Sequence, residues 1–145
     1  MHLTTFTEHA FRVLMYLAKN NNSQATIQEI SESYKVSRNH IAKVVHQLGL
    51  SGFILTNRGA RGGIRLAKEA TEIHAGDVVK EMEKGINIIK CVQSPSPDCP
   101  FVEGCKLKTA LVKAREGFLD ILNQFTLADL IEGDNSPLAL QPIPN

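Results

Sequence analysis

The segment TIQEISESYKVSRNHIAKVVHQLGLSGFILTNRGARGGIRLAK, residues 26–68, constrains the fold more than any other part of the chain. Thr26 and Glu29 have capping-box spacing, and Ile27 and Ile30 fall on one face, which predicts a short helix. The residues KVS then form a tight turn, with Ser37 placed to cap a second helix over RNHIAKVVHQLGL. That helix turns Ile41, Val44, Val45 and Leu48 inward. Its other face carries Arg38, Asn39, His40, Lys43 and Gln47, with His46 nearer the edge. Two short helices joined by a tight turn, the second polar at its N-terminal end, make the helix-turn-helix pattern. The remainder predicts two strands, Phe53 to Thr56 and Ile64 to Ala67, around NRGARGG, which joins backbone freedom to the guanidinium groups of Arg58 and Arg61. A helix-turn-helix followed at once by a basic hairpin predicts a winged helix, a mainly α fold with a small β-hairpin wing. An exposed hairpin with incidental arginines is the plainer alternative.

The flanks complete the outline. TFTEHAFRVLMYLAKN predicts a first helix with Ala10, Phe11, Leu14, Met15, Leu17 and Ala18 on its apolar face, and Thr5 with Glu8 at capping-box spacing. A short amphipathic helix is expected from Ile73 to Glu83. The longest helix is expected over LKTALVKAREGFLDILNQF, where Leu107, Leu111, Ala114, Phe118, Ile121, Leu122 and Phe125 recur at alternating four- and three-residue steps. That seam suits packing against another helix and predicts a homodimer interface, with docking onto the chain's own winged domain as the alternative. TLADLIE predicts a last short helix, and SPLALQPIPN, with three prolines, a frayed tail. The expected organisation is a winged helix-turn-helix domain (1–84), a cysteine loop (85–105), a dimerisation region (106–132) and a flexible tail (133–145).

Charge sharpens the reading. From Lys35 to Lys68 there are seven basic residues, Lys35, Arg38, Lys43, Arg58, Arg61, Arg65 and Lys68, and no acidic one. The whole chain carries only +1, so the remainder is an acidic body. Segregation of this kind predicts a surface for double-stranded DNA. Arg38, Asn39 and His40 stand where base edges are reached, Ser37 and Lys43 where phosphates are met, and Arg58, Arg61 and Arg65 on the wing. No nucleophile elbow, phosphate loop or HExxH motif appears, which argues against a hydrolytic enzyme. No apolar run approaches the roughly 20 residues of a membrane span. The opening MHLTTFTEHAFR carries acid and polar residues where a signal peptide has a basic start and an apolar block, so a cytoplasmic protein is expected.

All three cysteines lie in CVQSPSPDCPFVEGC, residues 91–105, with spacing C-x7-C-x5-C. In a reducing compartment such a group points to metal or redox chemistry rather than disulfides. Structural zinc favours CxxC pairs, which are lacking here. Wide spacing fits a loop wrapped around an object larger than one ion, such as an iron–sulfur cluster held by thiolates. Lys90, Lys106 and Lys108 flank Cys91 and Cys105, and their charge offsets that of a thiolate-bound cluster. Pro95, Pro97 and Pro100 reduce the entropy lost on ordering the loop. Zinc, a metal-free thiol switch and three unrelated thiols remain open on these residues alone.

A winged helix opening LTTFTEHAFRVLMYLA, the helix VSRNHIAKVVHQL, the wing RGARGGIRLA and three late cysteines before a long helix together resemble one bacterial family, the iron–sulfur winged-helix transcriptional repressors. The resemblance runs from Met1 to about Glu132, and the LADL segment looks like the family's nitric-oxide-sensing branch. It implies a dimeric repressor on a palindromic operator, released from DNA when nitric oxide nitrosylates or removes a 2Fe–2S or 4Fe–4S cluster. The family's cluster cysteines fall on Cys91, Cys99 and Cys105. The cluster-assembly branch uses a histidine three residues after the third cysteine, where this chain has Lys108. The nitric-oxide branch can recruit a carboxylate from the first helix of the partner subunit, at a position occupied here by Glu8 in place of Asp. His9 is the nearest rival ligand and His2 a weaker one, while His40 and His46 lie on the DNA-facing helix. A zinc- or thiol-dependent winged-helix regulator, or a cluster-assembly type, is the alternative.

Overall fold

The computed structural model describes residues 2–20, 23–57, 59, 62–83, 86, 91, 99–101 and 104–132. Most of its helices begin on a side chain that accepts a hydrogen bond from the first turn, which satisfies an N–H group that has no partner within the helix. Thr4 does this for α1 (Thr5–Lys19), Thr26 for α2 (Ile27–Tyr34) and Ser37 for α3 (Arg38–Leu50). The Thr26–Glu29 capping box forms in full. Between α2 and α3, Lys35 takes the left-handed conformation (φ 53°) that ends α2, and Ser31 Oγ donates to Val36 O at 2.6 Å, bracing the turn from inside.

β1 (Ile54–Asn57) and β2 (Gly63–Leu66) pair antiparallel with Ile54 opposite Leu66 and Asn57 opposite Gly63. Both strands differ by a residue from the sequence expectation. Phe53 is not in the ladder because its N–H closes onto Leu48 O (3.0 Å) in the turn that follows α3, where Gly52 has φ 75°. Gly63 is in it because the chain at 24–25 crosses beside it. Ala25 and Ile64 exchange two backbone hydrogen bonds, and a Cβ on Gly63 would lie 2.9 Å from Gln24 Cβ. The wing is thereby fastened to the α1–α2 connection.

A 3-10 turn at Ala70–Glu72 and an extended Ile73 precede α4 (Ala75–Met82), which is why that helix starts two residues later than expected. α5 (Lys106–Leu122) is followed closely by α6 (Leu127–Ile131). The core joins Val13, Leu14 and Leu17 of α1 to Ile30, Ile41, Val44 and Leu48, to Ile54, Ile64 and Leu66 of the wing, and to Ile73, Val78 and Leu127. Full burial of such a side chain contributes about 1.5–3 kcal/mol. Leu127, 1% exposed, brings α6 back into this core after α5 has left it.

No residue of α5 is buried. It leans on α4 at one end. Asn123 Oδ1 accepts from Asp77 N (2.9 Å), capping α4, and Asn123 O lies 2.9 Å from His74 Nδ1. Ala75 N donates to Phe125 O, and Leu127 N to Ile73 O. Of the predicted seam, Leu107, Ile121 and Phe125 are exposed, and Leu111, Phe118 and Leu122 half-buried, so docking onto the chain's own domain does not cover it. The predicted tail, 133–145, lies outside the described residues.

Candidate DNA-reading surface and cysteine socket

Ser37 Oγ accepts from His40 N at 3.3 Å and so fixes the start of α3. The residues around it, Ser37, Arg38, Asn39, His40 and Lys43, are all exposed, while Ile41, Val44, Val45 and Leu48 anchor the opposite face. Arg38 Nη2 donates to Gln28 Oε1 (2.8 Å), which holds the guanidinium across the helix-turn-helix. Arg65 is exposed on β2 opposite Leu55. Arg58 and Arg61 lie outside the described residues.

The start of α1 differs from the sequence expectation. The N-cap is Thr4, not Thr5, and Thr4 Oγ1 accepts from Thr7 N (3.4 Å). The residue three places on is then Thr7, which has no carboxylate to reach back to the cap. Glu8 is consequently not a capping residue, and its side chain is exposed. The reach-back bond is supplied instead by Glu83, just past the end of α4. Its Oε1 accepts from Thr4 N (2.8 Å), Thr4 Oγ1 (3.0 Å) and Thr7 Oγ1 (2.5 Å). Partial burial pushes the Glu83 carboxyl up, but the bonds from Thr7 and Thr4, with His2 nearby, outweigh this and hold it below the ordinary glutamate range.

His9, next to Glu8, faces α3 of the same chain. Its ring centroid is 6.4 Å from that of His40, and the two border a groove of about 230 Å³ with Thr5, Phe6, Lys43 and Val44. His9 Nδ1 is buried and has no hydrogen-bond partner among the described residues. Burial, reinforced by the Arg12 and His40 charges and opposed by Glu8, depresses its pKa below the usual histidine value.

Cys91, Cys99 and Cys105 are free and half-buried. Cys105 is the N-cap of α5, and its Sγ accepts from Lys108 N at 3.4 Å. An N–H···S bond at a helix N-terminus suits a sulfur carrying negative charge. Among the described residues no three His, Cys, Asp or Glu side chains converge into a metal site. The donors nonetheless fit an iron–sulfur cluster in kind, because three thiolates are the ligands such clusters take. Lys108, in the position of the cluster-assembly histidine, has no lone pair to offer while protonated.

Residues 3–133 match the Rrf2 family, described as iron-dependent transcriptional regulators. The chain belongs to this family. It is 41% identical over 133 residues to the HTH-type transcriptional regulator NsrR of Geobacillus kaustophilus, covering 91% of this chain and 90% of that one. It is also 41% identical over 132 residues to NsrR of Bacillus licheniformis, covering 90% and 92%. Among solved structures it is similar to CymR, the global cysteine regulator of B. subtilis, with a TM-score of 0.70 and 22% identity, covering 90% of this chain and 96% of that one. This Rrf2 chain is therefore a winged-helix, DNA-binding transcriptional regulator and not an enzyme. No described helix is long and apolar enough to cross a membrane.

Sequence reasoning did not find two features of this Rrf2 regulator. From sequence Glu83 is only the end of the helix expected at 73–83, because its partners lie 76 and 79 residues away. Asn123 falls within the long helix expected from sequence, outside its apolar seam, yet it caps α4. The one available signal was the T-x-x-T spacing of Thr4 and Thr7, a capping box lacking its acid.

Proposed function

We propose that this Rrf2 regulator is a homodimeric repressor whose hold on a palindromic operator depends on an iron–sulfur cluster that responds to nitric oxide. The observation that carries the reading is three free, half-buried cysteines in the segment before α5, the last of them its N-cap, combined with an exposed carboxylate, Glu8, on α1. Three thiolates leave a four-ligand set one short, and the resemblance to the nitric-oxide-sensing branch supports Glu8 of a second protomer as the fourth. His9 is the poorer candidate because it faces its own α3. The exposed Leu107, Ile121 and Phe125 support a dimer through α5, since a run of large apolar side chains left in water marks an interaction surface. In this reading 1–84 is the DNA-binding head, 85–105 the socket and 106–132 the dimerisation region.

Arg38, Asn39 and His40 would read base edges and Ser37 and Lys43 meet phosphates, with Arg58, Arg61 and Arg65 on the wing. When bound, the cluster would supply iron to which nitric oxide can bind as a ligand in place of a protein group. Cys91, Cys99 and Cys105 hold one side of the socket, and Glu8 fastens α1 of the other protomer to it. Because His9 touches His40, a change in the seating of α1 is one contact from the base-reading end of α3. Moving operator occupancy from 1% to 99% requires about 5.5 kcal/mol of differential stabilisation between the two states.

The test is to purify the protein without oxygen, measure iron and sulfide per chain, and titrate a duplex selected from a random-sequence pool before and after nitric oxide. Iron-loaded protein that releases the duplex on nitrosylation is expected. Iron-free protein whose binding answers to zinc or peroxide instead would overturn the reading in favour of a zinc- or thiol-dependent regulator. Glu8→Ala is expected to loosen the cluster and leave apo-protein folding nearly intact.

A further inference from the structure

Glu83 occupies an unusual place between two parts of the molecule. It is the C-cap of α4, at the point where the chain leaves that helix toward the cysteine loop. Its carboxylate oxygen takes all the hydrogen bonds that a glutamate at the third helical position of α1 would have taken from the cap, and Thr7 Oγ1 in addition. Thr7 is fully buried, so its hydroxyl has few other partners to turn to. The capping box of α1 is thus completed from a residue 79 positions away, at the stem of the loop that carries the three thiols. A local glutamate would have capped α1 equally well. Only a distant one makes the seating of α1 depend on where the loop stem stands.

We propose that Glu83 is the positioning residue of the regulator's switch, its carboxylate clamping the N-terminus of α1, with Glu8 one turn along, to the stem of the cysteine loop. This rests on the cluster reading above. With the clamp closed, Glu8, which serves the socket of the second protomer, stands at a fixed offset from the loop stem of its own chain, and His9 stands at a fixed offset from His40 on α3. A displacement of the stem is carried to α1 by the Glu83 bonds, and from α1 to the base-reading end of α3 by the ring contact. Without the carboxylate, α1 keeps its own cap, Thr4 Oγ1 to Thr7 N, and stays packed through Val13, Leu14 and Leu17. The head therefore folds and binds DNA, but it no longer follows the loop.

The readout is a coupling ratio, the dissociation constant of the metal-free protein for the selected duplex divided by that of the iron-loaded protein. It is measured for the full-length wild type, Glu83→Ala and Glu83→Gln, with iron and sulfide content determined for each. Glu83→Ala is expected to load iron, to bind DNA in its metal-free form as the wild type does, and to lose about tenfold of the coupling ratio. Glu83→Gln keeps an acceptor oxygen at the same reach and is expected to stay within about threefold of the wild type. A merely structural role would shift both dissociation constants together and leave the ratio unchanged, and that result overturns the clamp. If Glu83→Ala fails to fold, a Thr7→Ser variant with an unaltered ratio and a Thr7→Val variant with a diminished one support the clamp. Equal ratios for those two overturn it. Wild-type protein that takes up no iron overturns the cluster reading and this inference together, whereas iron-loaded wild type with unaltered coupling in Glu83→Ala overturns this inference alone.

Discussion

Gly76→Ala separates what helix propensity predicts from what packing predicts, because the two have opposite signs. Gly76 is the second residue of α4, where alanine is the better helix former by about 1 kcal/mol and also restricts the unfolded chain. On propensity alone the substitution stabilises. The position, however, is buried against α5, and a Cβ there would lie 2.5 Å from Leu119 O and closer still to Asn123 Oδ1. The asparagine side chain can rotate away, though it then gives up its bond to Asp77 N. The Leu119 carbonyl belongs to helical backbone and cannot, so α4 must move off α5. Overpacking of this kind costs about 1–3 kcal/mol, and a backbone obstacle belongs at the upper end. After the propensity gain is subtracted, a loss of roughly 2 kcal/mol remains, which lowers Tm by about 6–10 °C in a domain of this size. The assay is a thermal melt of metal-free protein followed by circular dichroism. Adding Asn123→Ala removes one obstacle and leaves Leu119 O, so the double variant does not regain the wild-type Tm. A Gly76→Ala protein melting at or above the wild type would refute the close approach of α4 and α5.

Leu127→Ala should cost about 2–5 kcal/mol, read as a shift in the urea midpoint with unchanged slope, because its side chain sits at 1% exposure in the common core. A loss below about 1 kcal/mol would mean that α6 is accessory to the head. Lys43→Ala should lower the slope of log affinity against log salt by about one unit while leaving sequence preference intact, and an unchanged slope would remove Lys43 from the phosphate contacts. Acid should weaken the fold in two stages. His9 is held neutral by burial, so the unfolded chain takes up its proton first and stability declines as pH falls below about 6.5. Glu29, bonded by Thr26 N–H and hydroxyl, Asp129, bonded by the Thr126 hydroxyl and N–H, and Glu83 all titrate below their ordinary ranges in the fold. Their contribution is complete above about pH 5 and is lost as pH falls through the depressed values. Stability flat from pH 7 down to about pH 5 would contradict the first stage.

The head was legible because its signals are local. Thr26 with Glu29, Ser37, and the Ile41–Leu48 face each operate within a turn or two of helix, and each formed as read. The strands shifted by one residue because their ends are set by non-local partners, Leu48 for Phe53 and Ala25 for Ile64. The same reason hid Glu83 and Asn123, whose side chains cap helices to which they do not belong. The spacing of Thr5 and Glu8 points to Thr5 as the α1 cap, whereas the cap is Thr4. The real partner of the cap comes from the far side of α4. The cysteines group by sequence spacing alone, since no three such side chains converge among the described residues, and likeness to a family supplies the cofactor expectation that spacing does not.

The closure at Asn123 bears on where a change in the loop is felt. α4 and α5 lie antiparallel, with Gly76 against Leu119 and Asn123, and with Lys80 and Glu81 sharing a groove of about 490 Å³ with Arg115 and Glu116. One end of the pair is locked by the bonds from Asn123 to Asp77 and His74 and from Phe125 to Ala75. The other end is where the cysteine loop leaves α4 and re-enters at Cys105. In the reading proposed above, a change in the loop's span acts on the bridged end of this pair. That end of α4 carries Glu83, about 12 Å along the helix axis from the lock. Both ends of α4 reach the core, through Ile73 and Leu127 beside the lock and through Met82 next to Glu83. In the clamp proposed above, the Asn123 lock is the fulcrum, and Glu83, beside the buried Met82, is the arm that bears on the cap of α1. Weakening the fulcrum by Asn123→Ala should reduce the coupling between socket and recognition helix even though Asn123 touches neither.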